Sequence, residues 1–123
     1  LYRSYDLVLS PRGNARGCFR TTEILQMGLI PIVAFDDYIW IPYRNSSFPW
    51  KDIGFYLLSK DVKQFVDVVN KLTPERIKFM RETIRKYRDT HLTMNGTINQ
   101  IRLFMQSGYE QSDLRCDRYY PTN

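Results

Sequence analysis

A chain of 123 residues allows one compact domain. Its 18 Lys and Arg against 13 Asp and Glu leave a net charge of +5, a balance that suits anionic partners such as nucleotide diphosphates, acidic glycans, nucleic acid or a membrane surface. Cys18 and Cys116, the two cysteines, form no C-x-x-C arrangement and argue against metal or redox chemistry, and there is no apolar run of membrane-spanning length, signal-peptide pattern, internal repeat or low-complexity tract.

In chain order, Leu7-Val8-Leu9 is a short apolar run of the kind found in a buried strand, and Glu23-Ile24-Leu25-Gln26-Met27 reads as helix closed by Gly28. Leu29-Ile30-Pro31-Ile32-Val33-Ala34-Phe35 is apolar at nearly every position, as a parallel strand covered on both faces is, and ends in Asp36-Asp37. Residues 7–37 therefore read β-turn-α-β, with both strands finishing at one edge. Open α/β sheets hold their ligands in the crevice at that edge.

Tyr38-Ile39-Trp40-Ile41-Pro42-Tyr43 is aromatic and apolar, broken by Pro42, and Arg44-Asn45-Ser46-Ser47 follows as a surface turn. Residues 50–58 read as a turn leading into a third buried strand at Phe55-Tyr56-Leu57-Leu58. Val62, Phe65, Val66 and Val69 give residues 60–72 one apolar helical face. Thr73 can cap a further helix with Pro74 at its first position. In it Arg76, Lys78, Arg81, Arg85, Lys86 and Arg88 interleave with Ile77, Met80 and Ile84 at helical spacing, so a solvated basic face accounts for most of the excess charge. No RNA-binding signature accompanies it, and nucleic acid is set aside as a partner. Asn95-Gly96-Thr97 punctuates the chain before a last helix from about 98 to 106, and the tail from Gly108 is polar without a period. The expected division is an α/β domain over residues 1–107 and a C-terminal tail over 108–123.

The turn between the first strand and helix carries the chemistry. Pro11-Arg12-Gly13-Asn14-Ala15-Arg16-Gly17-Cys18-Phe19-Arg20-Thr21-Thr22-Glu23 places three guanidiniums and one carboxylate where a helix N-terminus faces an anion. That combination suits a diphosphate and a ribose. Arg12 and Arg16 flank the glycine turn, where a guanidinium forks onto phosphate oxygens; simple solvation in a loop is the plain alternative. Gly13 permits backbone approach to a ligand or serves only the turn. Arg20 and Glu23, three apart on one helix face, form either part of the site or an ordinary surface ion pair. Asp36 and Asp37 are an acid–base pair, half a metal site or caps of the next turn. His91, the one histidine, attracts attention as a general base, but its place after the basic helix favours a surface or helix-terminal role. Trp40, Tyr43 and Trp50 stack on a sugar or base, or belong to the core.

The stretch SPRGNARGCFRTTEILQMGLIPIVAFDDYIWIPY resembles the donor-binding segment of the exostosin-like glycosyltransferases. These show a Pro-Arg-Gly turn, a Ser-Phe-Arg-Leu-x-Glu-Ala helix start, a Gly-x-Ile-Pro-Val strand and a following Asp. The resemblance is specific over residues 7–43 and thinner beyond, where Trp50 to Leu58 matches the Asp-Trp-x-x-Phe element that follows the Asp in those enzymes. Two positions depart from the pattern. Cys18 replaces a Ser or Thr, which weakens a helix cap by about 1 kcal/mol, and Thr21 replaces Leu.

The resemblance implies a Rossmann-like parallel sheet with flanking helices, part of the C-terminal half of a GT-B enzyme. It implies donor binding by Arg12, Gly13, Arg16, Arg20, Glu23 and Asp37, with Glu23 on the ribose hydroxyls, Arg20 against the diphosphate and Asp37 near the donor sugar. Transfer would run from a nucleotide diphosphate sugar to a glycan hydroxyl, with inversion and without metal or other cofactor. The acceptor-side domain and an N-terminal membrane anchor are expected outside this sequence, which alone would be inactive. The triplets Asn45-Ser46-Ser47 and Asn95-Gly96-Thr97 are N-glycosylation acceptors in expected loops and lean towards the Golgi or another secretory lumen. A non-catalytic nucleotide-sugar or glycan-binding module and a basic interaction domain are the alternative readings.

Overall fold

The computed structural model describes residues 5–13, 19–44, 46–108 and 110–114. Arg16, Cys18, Asn45 and Cys116 lie outside the described residues. Three parallel strands, β1 (Leu7–Pro11), β2 (Ile30–Phe35) and β3 (Phe55–Leu58), form a sheet in the order β1-β2-β3. Leu7 pairs with Ile30 through to Pro11 with Ala34, and Ile32 with Phe55 through to Phe35 with Leu58. β2 lies in the middle and has no exposed residue, which is what its unbroken apolar run requires. The α/β fold read from the sequence is the one observed.

Helix α1 (Phe19–Gln26) joins β1 to β2 and ends as its glycine dictates. Gly28 takes φ +73, its N–H donates to Leu25 O at 3.0 Å, and Leu29 N–H donates to Ile24 O at 3.1 Å. This paired arrangement satisfies two of the last helical carbonyls and needs a residue without Cβ at the left-handed position. The one-turn helix α2 (Trp50–Ile53) leads into β3, where a turn was expected. Helix α3 (Val62–Asn70) rests on β3 through Phe65, whose ring stands 5.3 Å from that of Phe55. Only Phe65 and Val69 of its expected apolar face are even half-buried; Val62 and Val66 are exposed, because a four-residue edge strand offers little surface to cover them.

Helix α4 (Pro74–Tyr87) starts as expected, with Arg76 N–H donating to Thr73 Oγ1 at 3.2 Å and Pro74 in the first turn. Met80 and Ile84 are fully buried, in one core with Leu25, Ile30, Val33, Phe35, Trp50 and Ile53. Its basic face is partly tied down. Arg81 reaches Asp6 at 2.6 Å, and Arg76 reaches Asp52 at 3.0 Å.

A π turn (Arg88–Leu92) links α4 to α5 (Met94–Ser107). The last helix therefore begins four residues before its expected start, and Asn95-Gly96-Thr97 lies in its first turn rather than in a loop. Thr93 caps it by accepting from Gly96 N–H at 3.1 Å. A Cβ on Gly96 would stand 2.7 Å from Asp89 O and His91 N, so the glycine answers a close approach to the π turn rather than a break in the helix. Among the described residues, no helix is long and apolar enough to cross a membrane.

Candidate functional site

Parallel pairing brings the ends of β1 and β2 to one edge, where Arg12 and Asp37 meet. Arg12 N–H continues the ladder onto Ala34 O at 2.9 Å. Its guanidinium Nη1 donates to Asp37 Oδ1 at 2.8 Å, and the same carboxylate oxygen accepts from Tyr38 N–H at 2.6 Å. Asp37 thus closes its own turn and fixes the direction of Arg12. The Arg12 side chain remains 26% exposed beside this bond.

The neighbouring carboxylate does something else. Asp36 Oδ1 lies 2.8 Å from Ser59 Oγ, which is also 3.0 Å from Phe35 O, so Asp36 ties the end of β2 to the end of β3. The two aspartates thus hold different partners. Among the described residues no group of three His, Cys, Asp or Glu could hold a metal ion.

Gly13 is exposed, and a Cβ there meets none of the described residues within 4 Å. Arg20 and Glu23 are both exposed on α1. Among the described residues Glu23 has no ion-pair partner, so the Arg20–Glu23 surface bridge is not formed. Arg16 lies outside the described residues, as does Asn45; Asn95 is exposed on α5.

Sequence reasoning missed the contact that seats α1 on the sheet. Ser10 Oγ and Thr21 Oγ1 meet at 2.9 Å, both buried. Thr21 is one of the departures from the family pattern, and the bond explains why a hydroxyl rather than a leucine fits there. Each residue alone reads as turn polarity, and no local spacing connects them.

A cavity of about 320 Å³ is walled by Thr22 from α1, Trp40, Tyr43 and Arg44 from the segment after Asp37, His91 from the π turn and Thr97 from α5. The wall is rigidly built. Tyr43 sits at φ 58 and donates its hydroxyl to His91 O at 2.7 Å; burial pushes its phenol above the ordinary range, helped by the charge of Asp113 and opposed by a bond with Thr97. Arg44 donates to Ile39 O and lies 4.8 Å above the Tyr38 ring. Trp50 Nε1 donates to Pro42 O at 2.6 Å.

His91 is helix-terminal, as expected, but buried. Its Nε2 is 2.9 Å from Asp113 Oδ2 and its Nδ1 is 2.8 Å from Thr90 Oγ1, with the rings of Tyr43 and Phe48 at 5.2 and 5.1 Å. Burial alone would raise the Asp113 carboxyl; bonds from Ser47 and His91, with the attraction of the imidazole, outweigh it and hold the group below its usual range. Through Asp113, which also accepts from Ser47, His91 ties residues 110–114 and the Ser46-Ser47 turn to the cavity wall.

No protein-family model matches the chain. Over 98 residues it is 33% identical to "Probable beta-1,4-xylosyltransferase IRX10L" of Arabidopsis thaliana, which covers 80% of this chain and 21% of that protein. It is 29% identical over 84 residues to "Exostosin-1 homolog" of Caenorhabditis elegans (68% and 22%) and 30% identical over 82 residues to "Exostosin-1" of Drosophila melanogaster (67% and 10%). The chain spans 22% or less of the length of each of these relatives.

Proposed function

From an exostosin-like glycosyltransferase sequence on a parallel α/β sheet, we propose the donor-binding part of a GT-B enzyme that moves a sugar from a nucleotide diphosphate sugar to a glycan hydroxyl. The observation that carries the reading is the Arg12–Asp37 pair at the carboxyl edge of the sheet, 2.8 Å apart, beside the N-terminal end of α1. The departing nucleotide diphosphate gains negative charge as the glycosidic bond breaks. A guanidinium held in place before the ligand arrives stabilises that charge without reorganising.

In this reading Arg12 and Arg20 bind the diphosphate together with the N-terminal N–H groups of α1, and Arg16 joins them from the turn. Glu23 accepts from the ribose hydroxyls, and Asp37 keeps Arg12 aimed. Arginine and helix dipole do the work that a divalent ion does in other transferases. An inverting route also needs a base on the acceptor, which this reading assigns to another part of the protein. The triplet that begins at the exposed Asn95 is consistent with a secretory lumen such as the Golgi as the working compartment, with any membrane anchor elsewhere in the protein.

The test is calorimetric titration of the intact protein with nucleoside diphosphates, using Arg12→Ala and Glu23→Gln. Affinity that falls in both supports a donor site. Unchanged affinity in both returns these side chains to solvent and favours a non-catalytic glycan-binding module.

A further inference from the structure

The chain has two tryptophans, and the fold treats them in opposite ways. Trp50 is 5% exposed, gives its N–H to Pro42 O and packs against the rings of Phe48 and Tyr56. Trp40 is 41% exposed and lines the 320 Å³ cavity. Among the described residues its indole N–H has no acceptor and its ring no aromatic neighbour. Leaving a large apolar ring half in water forgoes the burial that would stabilise it, and the segment around it is too well anchored, by Tyr43, Arg44 and Trp50, for the exposure to be slack.

We propose that this cavity is a saccharide subsite in which a pyranose ring stacks on Trp40. The C–H face of a pyranose carries partial positive charge and meets the negative face of an indole favourably, while its equatorial hydroxyls need donors and acceptors around the rim. The rim supplies Thr22, Thr97 and the guanidinium of Arg44, and among the described lining residues there is no carboxylate. The volume is at the small end of the roughly 300–1,000 Å³ typical of ligand sites, which suits one sugar ring rather than an extended chain. Trp40 follows Asp37, the partner of Arg12, by three residues. The choice of a sugar as occupant rests on the transferase reading. Arg44 on the rim leaves two sources of that ring, neutral glycans and uronic-acid glycans.

The test titrates the intact protein with cellohexaose as neutral probe and hexagalacturonate as acidic probe, reading tryptophan emission and calorimetric affinity. A saturable emission change with at least one probe is expected. Trp40→Ala should weaken that binding about tenfold or more and Trp40→Phe, which keeps an aromatic face, only a few-fold. Nucleoside diphosphate affinity should be unchanged in both variants, which also reports that they are folded. An acidic preference that Arg44→Gln removes identifies a uronate ring; its absence identifies a neutral one. The proposal is overturned if neither probe changes the emission, if Trp40→Ala binds like the parent, or if uridine or guanosine gives the Trp40-dependent signal instead. Trp40-dependent sugar binding without nucleotide binding would refute the transferase reading and leave this subsite standing.

Discussion

Arg12 and Asp37, 25 residues apart in the chain, meet at 2.8 Å because the register of two parallel strands places one just past each strand end. Both side chains are partly exposed, so their mutual attraction adds less than about 1 kcal/mol to stability. Arg12→Ala should barely change the thermal midpoint, yet weaken nucleoside diphosphate binding by about 1.5–3 kcal/mol, the worth of a charge-assisted contact. Asp37→Asn should cost less binding, since it loosens the aim of Arg12 and leaves the cation in place. Equal binding losses in both variants would contradict that division of labour.

Glu23 separates a sugar-nucleotide site from a generic phosphate cradle, because a carboxylate repels phosphate but accepts from a ribose diol. Glu23→Gln should cost about 1–2 kcal/mol in binding a ribonucleoside diphosphate and clearly less with its 2′-deoxy counterpart. Tighter binding of both ligands by the variant would mark Glu23 as a mere neighbouring charge.

The buried Ser10–Thr21 bond should be visible in a double-mutant cycle. Thr21→Val keeps shape but loses the hydroxyl, and should cost about 1 kcal/mol in denaturant unfolding. Ser10→Ala should add less in the Thr21→Val background than in the parent. Strictly additive losses would show that the two hydroxyls do not cooperate in seating α1.

Asp113 and Tyr43 set opposite pH limits on the same wall. The Asp113 carboxyl titrates lower in the fold than in the unfolded chain, so its stabilising contribution is present above the ordinary carboxylate range and is lost as pH falls through the depressed folded value. The Tyr43 phenol titrates higher in the fold, so its contribution is complete below its unfolded value of about 10 and is lost as pH rises through the raised one. Asp113→Asn should flatten the acid limb of stability against pH and Tyr43→Phe the alkaline limb. Limbs that stay as steep as in the parent would sink the assignment.

Much of the architecture was legible because it depends on neighbours in sequence. The continuous apolar run of β2, the glycine after α1 and the Thr73-Pro74 start of α4 each act within a few residues, and each took the expected form. The start of α5 was misread for a related reason. Asn-Gly-Thr is turn chemistry by local preference, but the Thr93 cap and the close approach of Gly96 to the π turn make it helix.

Composition and order of elements thus determined the parallel sheet and the edge at which its polar residues collect. Only tertiary packing decided what those residues do. Two adjacent aspartates were divided between Arg12 and Ser59, and His91 was buried against Asp113, 22 residues away. Of two tryptophans, one was sealed in the core and the other left at the mouth of a cavity. Side-chain partners across long separations depend on which surfaces the backbone brings within about 3 Å, and local periodicity carries no record of that distance.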